Sequence, residues 1–363
     1  MINILWLAPN FNHYKARFLN HLAKEPKIQL NVMCGTGRKG MGDKMIKADW
    51  DFELTELNID KLKFGTSKVV RKRLKMIFSQ FDWIMIPAEK KNLLLFLYIL
   101  YLKKQHPNIR LFSYNHPLLK SQSKLWKPLN KLLTKLFYSC LDKVVFYTEQ
   151  SCAWAVNHNL VNKKNAFWAN NTLDNNEIDK YYNFKLPPIT ETRILFLGRL
   201  ISSKKIDVAI EYFFRLKKHL PNLILEIIGD GPENEIVKQV VKKDDNIIWH
   251  GTLVNESEIA PIMERISAVF VPGLSGLSIN HALLYGRPYI TLSSEDHGPE
   301  ISYIDNGING YVLTYHEKDN LQIITKVLNN REHLELLCKN AKLKGKTLSI
   351  ENWVSQIRNS LFK

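Results

Sequence analysis

Eleven short apolar runs, rich in β-branched and aromatic residues, alternate along this chain with stretches of helical period, and no other feature narrows the fold as far. The runs are residues 2–8, 28–34, 83–87, 111–114, 143–147, 166–169, 193–198, 223–229, 247–250, 268–272 and 289–293. Strand followed by helix, repeated, makes the fold class α/β, with parallel sheets between layers of helices. The alternation pauses once, where a polar stretch from 174 to 192 ends in Pro187 and Pro188. Such a break reads as a linker. The expected organisation is two Rossmann-like domains, 1–174 and 193–345, a linker over 175–192 and a C-terminal helix over 346–363. Two such sheets facing across a cleft would bind ligands outside the carboxyl ends of their strands. Ser349 with an early Glu351 marks the start of the last helix, which either closes the last domain or bridges the two.

The charge is as unevenly placed as the pattern is regular. Lys plus Arg number 51 against 35 Asp plus Glu, a net of +16 over 363 residues. Residues 1–150 hold 26 basic and 11 acidic side chains, so nearly all of the surplus lies in the first half. That split suggests an anionic partner for one domain. A hydrophobic content of 45% excludes a disordered or fibrous chain. Cys34, Cys140, Cys152 and Cys338 show no CxxC spacing, which argues against a zinc site or a disulfide framework and fits a reducing cytosol. The first nine residues are strand-length and lack a basic leader, so no signal peptide is expected. The apolar run 92–102 falls short of the roughly 20 residues needed to span a bilayer.

Two patterns carry little. Gly35 to Gly40 matches GxGxxG after a strand, but residues 41–44 open no apolar-periodic helix to receive a pyrophosphate, and the segment reads as a basic loop. Asp49 and Asp51 have the spacing of a carboxylate pair, yet so short a pattern predicts no metal site.

The informative stretch is 193–312. Gly198 closes an apolar run, with Arg199 next and Lys204 on the loop before a helix. Two cations just past a strand end suit a diphosphate. Two more strand ends follow, one at Gly229 in Ile-Ile-Gly-Asp-Gly-Pro-Glu and one at His250 in Ile-Ile-Trp-His-Gly. Gly273 and Gly276 then let the backbone approach a ligand closely. A helix is expected from Leu277 to Gly286, with Pro288 beyond it. A glycine-rich turn into a helix offers free N–H groups and a positive dipole end to an anion. Glu300 follows in Gly-Pro-Glu, before Asn-Gly-Ile-Asn-Gly-Tyr ending at Tyr311.

In that order these motifs resemble the retaining sugar-nucleotide glycosyltransferases of family 4. The resemblance is strong over 193–312. It is looser in the first half, where it rests on Pro9, Tyr14 and Arg17, on Tyr114-Asn-His116, and on Asn171-Thr-Leu-Asp174. It implies the GT-B architecture, in which the C-terminal domain binds the donor nucleotide and the N-terminal domain the acceptor. Arg199 and Lys204 fall on the family's diphosphate-binding pair, and Leu277 and Ser278 fall where backbone amides meet the phosphates. Glu300 matches an acidic residue of the following motif, and His116 a histidine near the reacting sugar. The implied catalytic set is His116, Arg199 and Lys204, with Gly198, Gly229, His250, Ser275 and Gly276 along the donor site. The sequence departs from the family at its two glutamates, separated by seven residues. Here these are Gly273, where the family contacts donor-sugar hydroxyls, and His281, where it reaches the ribose.

The resemblance implies a UDP- or GDP-sugar as co-substrate and no other cofactor. Arg199, Lys204 and the helix amides would stabilise the leaving diphosphate without a metal. Gly273 cannot act as a carboxylate nucleophile, so retention would proceed by front-face substitution. The implied partner is a glycan or lipid-linked acceptor in bacterial surface polysaccharide assembly. In the basic half, Lys127, Lys131 and Lys135 recur every four residues among Leu129, Leu132, Leu133, Leu136 and Phe137, after Trp126, with a second cluster at 71–75. That pattern fits either a Rossmann helix with a solvated lysine face or a contact with an anionic membrane surface. The latter would place the protein in the cytoplasm, peripheral on the inner face of the membrane. Nucleic acid is not the expected partner, because aromatic interleaving of an RNA-binding type is absent. The alternatives to a transferase are a silent nucleotide- or glycan-binding protein of the same fold and a sugar-nucleotide epimerase.

Overall fold

The computed structural model describes residues 1–36, 49–119, 127–294, 297–314 and 316–362. The chain forms two compact units, one of Met1–Asn171 with Ile350–Lys363 and one of Thr172–Ser349.

The first unit is built on seven parallel strands: β1 (Ile2–Ala8), β2 (Ile28–Cys34), β3 (Glu53–Glu56), β4 (Trp83–Met85), β5 (Arg110–Asn115), β6 (Lys143–Phe146) and β7 (Ala166–Trp168). Their order is β3-β2-β1-β4-β5-β6-β7, and Ile2 to Ala8 of β1 pair in register with Ile28 to Cys34 of β2. Side chains alternate across a strand. Leu5 and Leu7 of β1 therefore enter one apolar cluster, and Ile4, Trp6 and Ala8 enter another on the opposite face. The first cluster is covered by α2 (Lys68–Ile77), α3 (Leu93–Gln105), α4 (Lys127–Ser139) and α5 (Glu149–Asn157), and the second by α1 (His13–Ala23), whose start Asn12 caps.

The second unit has six parallel strands: β8 (Arg193–Leu197), β9 (Ile224–Ile228), β10 (Ile247–Trp249), β11 (Ala268–Phe270), β12 (Tyr289–Leu292) and β13 (Gly310–Leu313), ordered β10-β9-β8-β11-β12-β13. Its helices are α6 (Asn175–Asp179), α7 (Ile206–Lys217), α8 (Asn234–Val241), α9 (Glu256–Met263), α10 (Leu277–Leu284), α11 (Glu317–Asn329) and α12 (Arg331–Thr347). The chain then returns to the first unit as α13 (Ile350–Phe362).

All eleven expected runs contain strands. The two strands outside the expected runs, β3 and β13, are sheet edges; β13, Gly-Tyr-Val-Leu, is apolar but only four residues long. An edge strand has a neighbour on one side only and needs no buried alternation. The sequence of β3, Glu-Leu-Thr-Glu, is largely exposed. Among the described residues no helix is long and apolar enough to cross a membrane, and most of the run 92–102 lies in α3.

Two boundaries differ from expectation. Residues 175–192 are part of the second unit rather than a separate linker. Tyr182 is buried there and donates to the Tyr285 carbonyl, while Arg287 and Arg331 donate to the carbonyls of Lys185 and Pro187. The break falls at 171/172: Asn171 N–H donates to Tyr147 of the first unit, and Thr172 hydrogen-bonds Leu348 of the second. The closing helix belongs to the first unit. Its apolar stripe of Trp353, Val354, Ile357 and Leu361 completes the cluster around Trp6 and Phe18, and Trp353 Nε1 donates to Tyr114 Oη at 3.0 Å.

A buried ion network ties β8, β9 and β10 together. The fully buried Glu226 accepts from Arg193 at 2.7 Å and pairs with His250 Nε2 at 2.5 Å. Burial pushes the Glu226 carboxyl up, but the hydrogen bonds from His250 and Arg193 outweigh burial and hold it below the usual carboxylate range. Its contribution to stability is therefore present above the ordinary carboxylate pKa and is lost as pH falls through the lowered one. Glu226→Leu removes the Nη1 partner of Arg193, leaves its guanidinium with only the partly exposed Glu191 at Nε, and should destabilise the second unit by about 1–3 kcal/mol. Urea unfolding at neutral pH measures this, and the difference from the parent should shrink in acid.

Candidate functional site

The donor-side candidates gather around the glycine-rich turn that follows β11. The short turn of residues 202–204 ends in Lys205, whose φ of 55° is left-handed. For a non-glycine residue that conformation costs roughly 1–2 kcal/mol. The turn lies directly on Gly273. A Cβ at Gly273 would overlap the backbone of Ser203 and Lys204, and Leu274 N–H donates to the Ser203 carbonyl at 2.7 Å. No side chain fits at 273 while the turn holds this position, which is a steric reason for the missing glutamate.

Lys204 Nζ hydrogen-bonds the Leu274 carbonyl, and its stem passes over Gly198. Burial, reinforced by the Arg199 charge and partly opposed by Glu300, pushes the Lys204 amine down to about 8. Arg199 is exposed, and Glu300 is buried with its carboxylate beside Gly276 and Gly298. The turn itself is held by Ser275. Its N–H donates to His297 Nδ1 at 3.1 Å, its carbonyl accepts from Gly298 N–H at 2.8 Å, and its buried hydroxyl bonds Gly273 O and Tyr289 Oη. Helix α10 starts behind it at Leu277, as the sequence predicts. Gly276 at its cap supplies no side-chain hydrogen bond, so the cap leaves the first-turn N–H groups of Leu277 and Ser278 without a side-chain acceptor. The Ser278 hydroxyl is 2.8 Å from Tyr289 Oη. At the neighbouring strand ends, a Cβ on Gly229 (φ +138°) would overlap the Gly198 carbonyl, and Trp249 Nε1 donates to Gly229 O at 2.8 Å.

The structure thus brings Gly198, Arg199, Lys204, Gly229, Gly273, Ser275, Gly276, Leu277, Ser278 and Glu300 together. His250 turns toward Glu226 instead. His281 lies one turn into α10, buried, with Nε2 at 3.1 Å from Glu256 Oε2. Tyr285 Oη donates to the same carboxylate oxygen at 2.8 Å. Burial, then the Glu256 charge, raises the Tyr285 hydroxyl far above its usual range, so it stays protonated and donates. Glu256, Tyr285 and His297 escape a reading by sequence. Glu256 looks like an ordinary acid in the first turn of a helix, and nothing in the spacing announces its meeting with His281.

In the first unit, His116 lines a cavity of about 240 Å³ with Trp6, Lys15, Glu89, Tyr114 and Tyr147. Its ring packs edge-on against Tyr147 at 4.9 Å, and its carbonyl accepts from Tyr138 Oη at 3.0 Å. Asp51, weighed as a metal ligand, accepts from Asn20 Nδ2 at 3.0 Å and faces Lys24. Residues 37–40 of the glycine pattern, Trp126 and Asp296 lie outside the described residues, as do the side chains of Tyr14 and Lys127.

Residues 191–330 match the family model of the group 1 glycosyl transferases. That match covers most of the second unit, including the turn and α10. A stretch of 175 residues is 30% identical to the poly(glycerol-phosphate) α-glucosyltransferase of Bacillus subtilis, covering 46% of this chain and 26% of that protein. Another, of 189 residues, is 25% identical to the GtfA subunit of the UDP-N-acetylglucosamine–peptide N-acetylglucosaminyltransferase of Streptococcus agalactiae, covering 46% of this chain and 35% of that one. The chain thus spans well under half the length of the curated relatives it matches. Over 99% of both chains the structure resembles Anabaena HepE, solved in complex with UDP-glucose, with a TM-score of 0.70 at 15% identity. The fold class is GT-B, with two Rossmann-like units on parallel sheets.

A lysine lowered by burial regains its proton when an anion settles beside it. Were a nucleoside diphosphate to settle there, its affinity would fall as pH rises through about 8, and binding above that pH would take up a proton. Calorimetry in buffers of different ionisation enthalpy reads this uptake directly. Lys204→Arg, whose side chain stays charged, should abolish it.

Proposed function

We propose that this chain is a glycosyltransferase that moves a sugar from a nucleoside diphosphate sugar, UDP- or GDP-linked, to a glycan or lipid-linked acceptor with retention of configuration. The observation that carries the reading is the meeting of Arg199 and Lys204 with the N-terminus of α10 across the turn at Gly273. Two cations and a set of fixed amides are what a departing diphosphate requires, because they are already oriented when charge develops on it. The matched relatives, named as glucosyl- and N-acetylglucosaminyltransferases, support the same class. The poly(glycerol-phosphate) relative supports a role in bacterial surface polymer assembly.

The chemistry follows from the residues. As the glycosidic bond breaks, Arg199, Lys204 and the amides of Leu277 and Ser278 take up the charge of the leaving phosphate. With no carboxylate possible at 273, the acceptor attacks from the face the phosphate leaves, and the phosphate oxygen takes its proton. The clamp supplies the charge that a metal would otherwise bring. Activity is therefore proposed to survive a chelator, and loss in EDTA restored by magnesium would overturn that point. His281, with Nε2 committed to Glu256, offers Nδ1 to accept a ribose hydroxyl. The cavity at His116 is the proposed acceptor side, and an anionic membrane surface on the cytoplasmic side is the proposed partner of the basic unit.

Arg199→Ala and Lys204→Ala should each weaken UDP or GDP binding by about 1.5–3 kcal/mol, the worth of a charge-assisted partner, with thermal unfolding unchanged. His281→Ala should cost about 0.5–1.5 kcal/mol for the ribonucleotide and far less for its 2′,3′-dideoxy analogue. Unchanged affinity in both cation variants defeats the donor-site assignment. Equal losses for the two nucleotides make His281 structural. Donor binding without hydrolysis or transfer would favour a silent binding protein, the reading that Gly273 and His281 keep open.

A further inference from the structure

The helical layer over β1, β4 and β5 turns part of its apolar surface outward. Helices α3 and α4 pack side by side there, with the rings of Phe96 and Phe137 4.4 Å apart. The spacing would lead one to bury every leucine of α4, yet Asn130 and Thr134 go inward beside Leu133, Phe137 and Tyr138. Asn130 Nδ2 donates to the Leu119 carbonyl at 3.1 Å, and Thr134 Oγ1 accepts from Leu119 N–H at 3.2 Å, both buried. Those bonds fix the rotation of α4 and turn Leu129, Leu132 and Leu136 to the outside. On α3, where Leu95, Phe96, Ile99 and Leu102 fill the core, Leu94, Leu97 and Tyr101 are left outside in the same way. The six side chains are between 40% and 59% exposed.

Both triplets have the spacing i, i+3, i+7, so each forms one stripe along its helix. The helices follow adjacent parallel strands on one sheet face, so the stripes lie next to each other. Exposed apolar surface of this extent marks an interaction site. The surrounding charge selects the occupant. Lys131 and Lys135 stand exposed among the leucines of α4, Lys104 stands beyond Tyr101, and residues 1–150 carry a net +15. Apolar stripes set among lysines match a bilayer whose headgroups are anionic and whose acyl boundary is apolar.

We propose that this face of the first unit seats on an anionic membrane, with Leu94, Leu97 and Tyr101 of α3 and Leu129, Leu132 and Leu136 of α4 entering the acyl boundary. The lysine stems extend to the headgroups. The inference assumes nothing about the reaction in the second unit.

Cys140 supplies the probe. It is exposed four residues beyond Leu136, and Cys34, Cys152 and Cys338 are buried. An environment-sensitive dye on Cys140 should shift to the blue with vesicles of phosphatidylcholine and phosphatidylglycerol, and not with phosphatidylcholine alone. Leu97→Ser combined with Leu132→Ser should lower partitioning about tenfold at low and high salt alike and remove most of the shift. Lys131→Gln combined with Lys135→Gln should lower it at low salt and much less at high salt, where exposed charges are already screened. Nucleotide affinity should match the parent in both variants, which keeps this result separate from the fate of the donor site. The proposal is overturned if bound protein shows no dye shift, or if the leucine variant partitions like the parent. It is equally overturned if the parent self-associates without lipid and that variant does not, since a second copy then covers the face.

Discussion

The second unit depends on one close approach, that of the Ser203–Lys204 backbone to Gly273. It leaves no space for a Cβ at 273 and draws Lys204 into hydrogen-bonding reach of Leu274. The same contact accounts for the lysine's lowered proton affinity, because the ammonium is taken out of water without being given a carboxylate at bonding distance. Relief of that desolvation is part of what a bound diphosphate would gain.

Around this contact the unit is braced by polar groups rather than by packing alone. Ser275 is held through its amide, carbonyl and hydroxyl, and His297 is fixed between Ser275 N–H and the Leu292 carbonyl. Such bracing keeps the amides at the start of α10 aimed before any ligand binds, and preorganisation of this kind is what makes an anion site effective. The Glu226 network ties the start of β8 at Arg193, the middle of β9 and the end of β10 at His250 to one another. In the pair of His281 and Glu256, a carboxylate from α9 stands beside a helix position where the resembling family carries its own.

The first unit is organised by the two-sidedness of β1. Leu5 and Leu7 demand one helical layer, and Ile4, Trp6 and Ala8 demand another. The second layer is completed from the opposite end of the chain. Trp353 supplies both the apolar bulk against Trp6 and Phe18 and a hydrogen bond to Tyr114, whose neighbours Asn115 and His116 border the cavity. A helix distant in sequence thus steadies the floor of the proposed acceptor side.

The sequence by itself determined the α/β class, eleven of the strands and the start of α10 at Leu277. It also determined the order of motifs that brings Arg199, Lys204, Gly276 and Glu300 to one turn. Those features are local or periodic: an apolar alternation, a glycine before a helix, a cation just past a strand. The tertiary structure alone decided the edge strand β3, because an edge needs no apolar alternation. It decided the 171/172 boundary and the return of α13, because both depend on which core an apolar stripe fits. It decided that Leu129, Leu132 and Leu136 of α4 face outward, because Asn130 and Thr134 find buried partners at Leu119. The pairing of His281 with Glu256 belongs to the same class. Residues 25 apart in sequence meet only once α9 and α10 have packed, and no local pattern records a contact that packing creates.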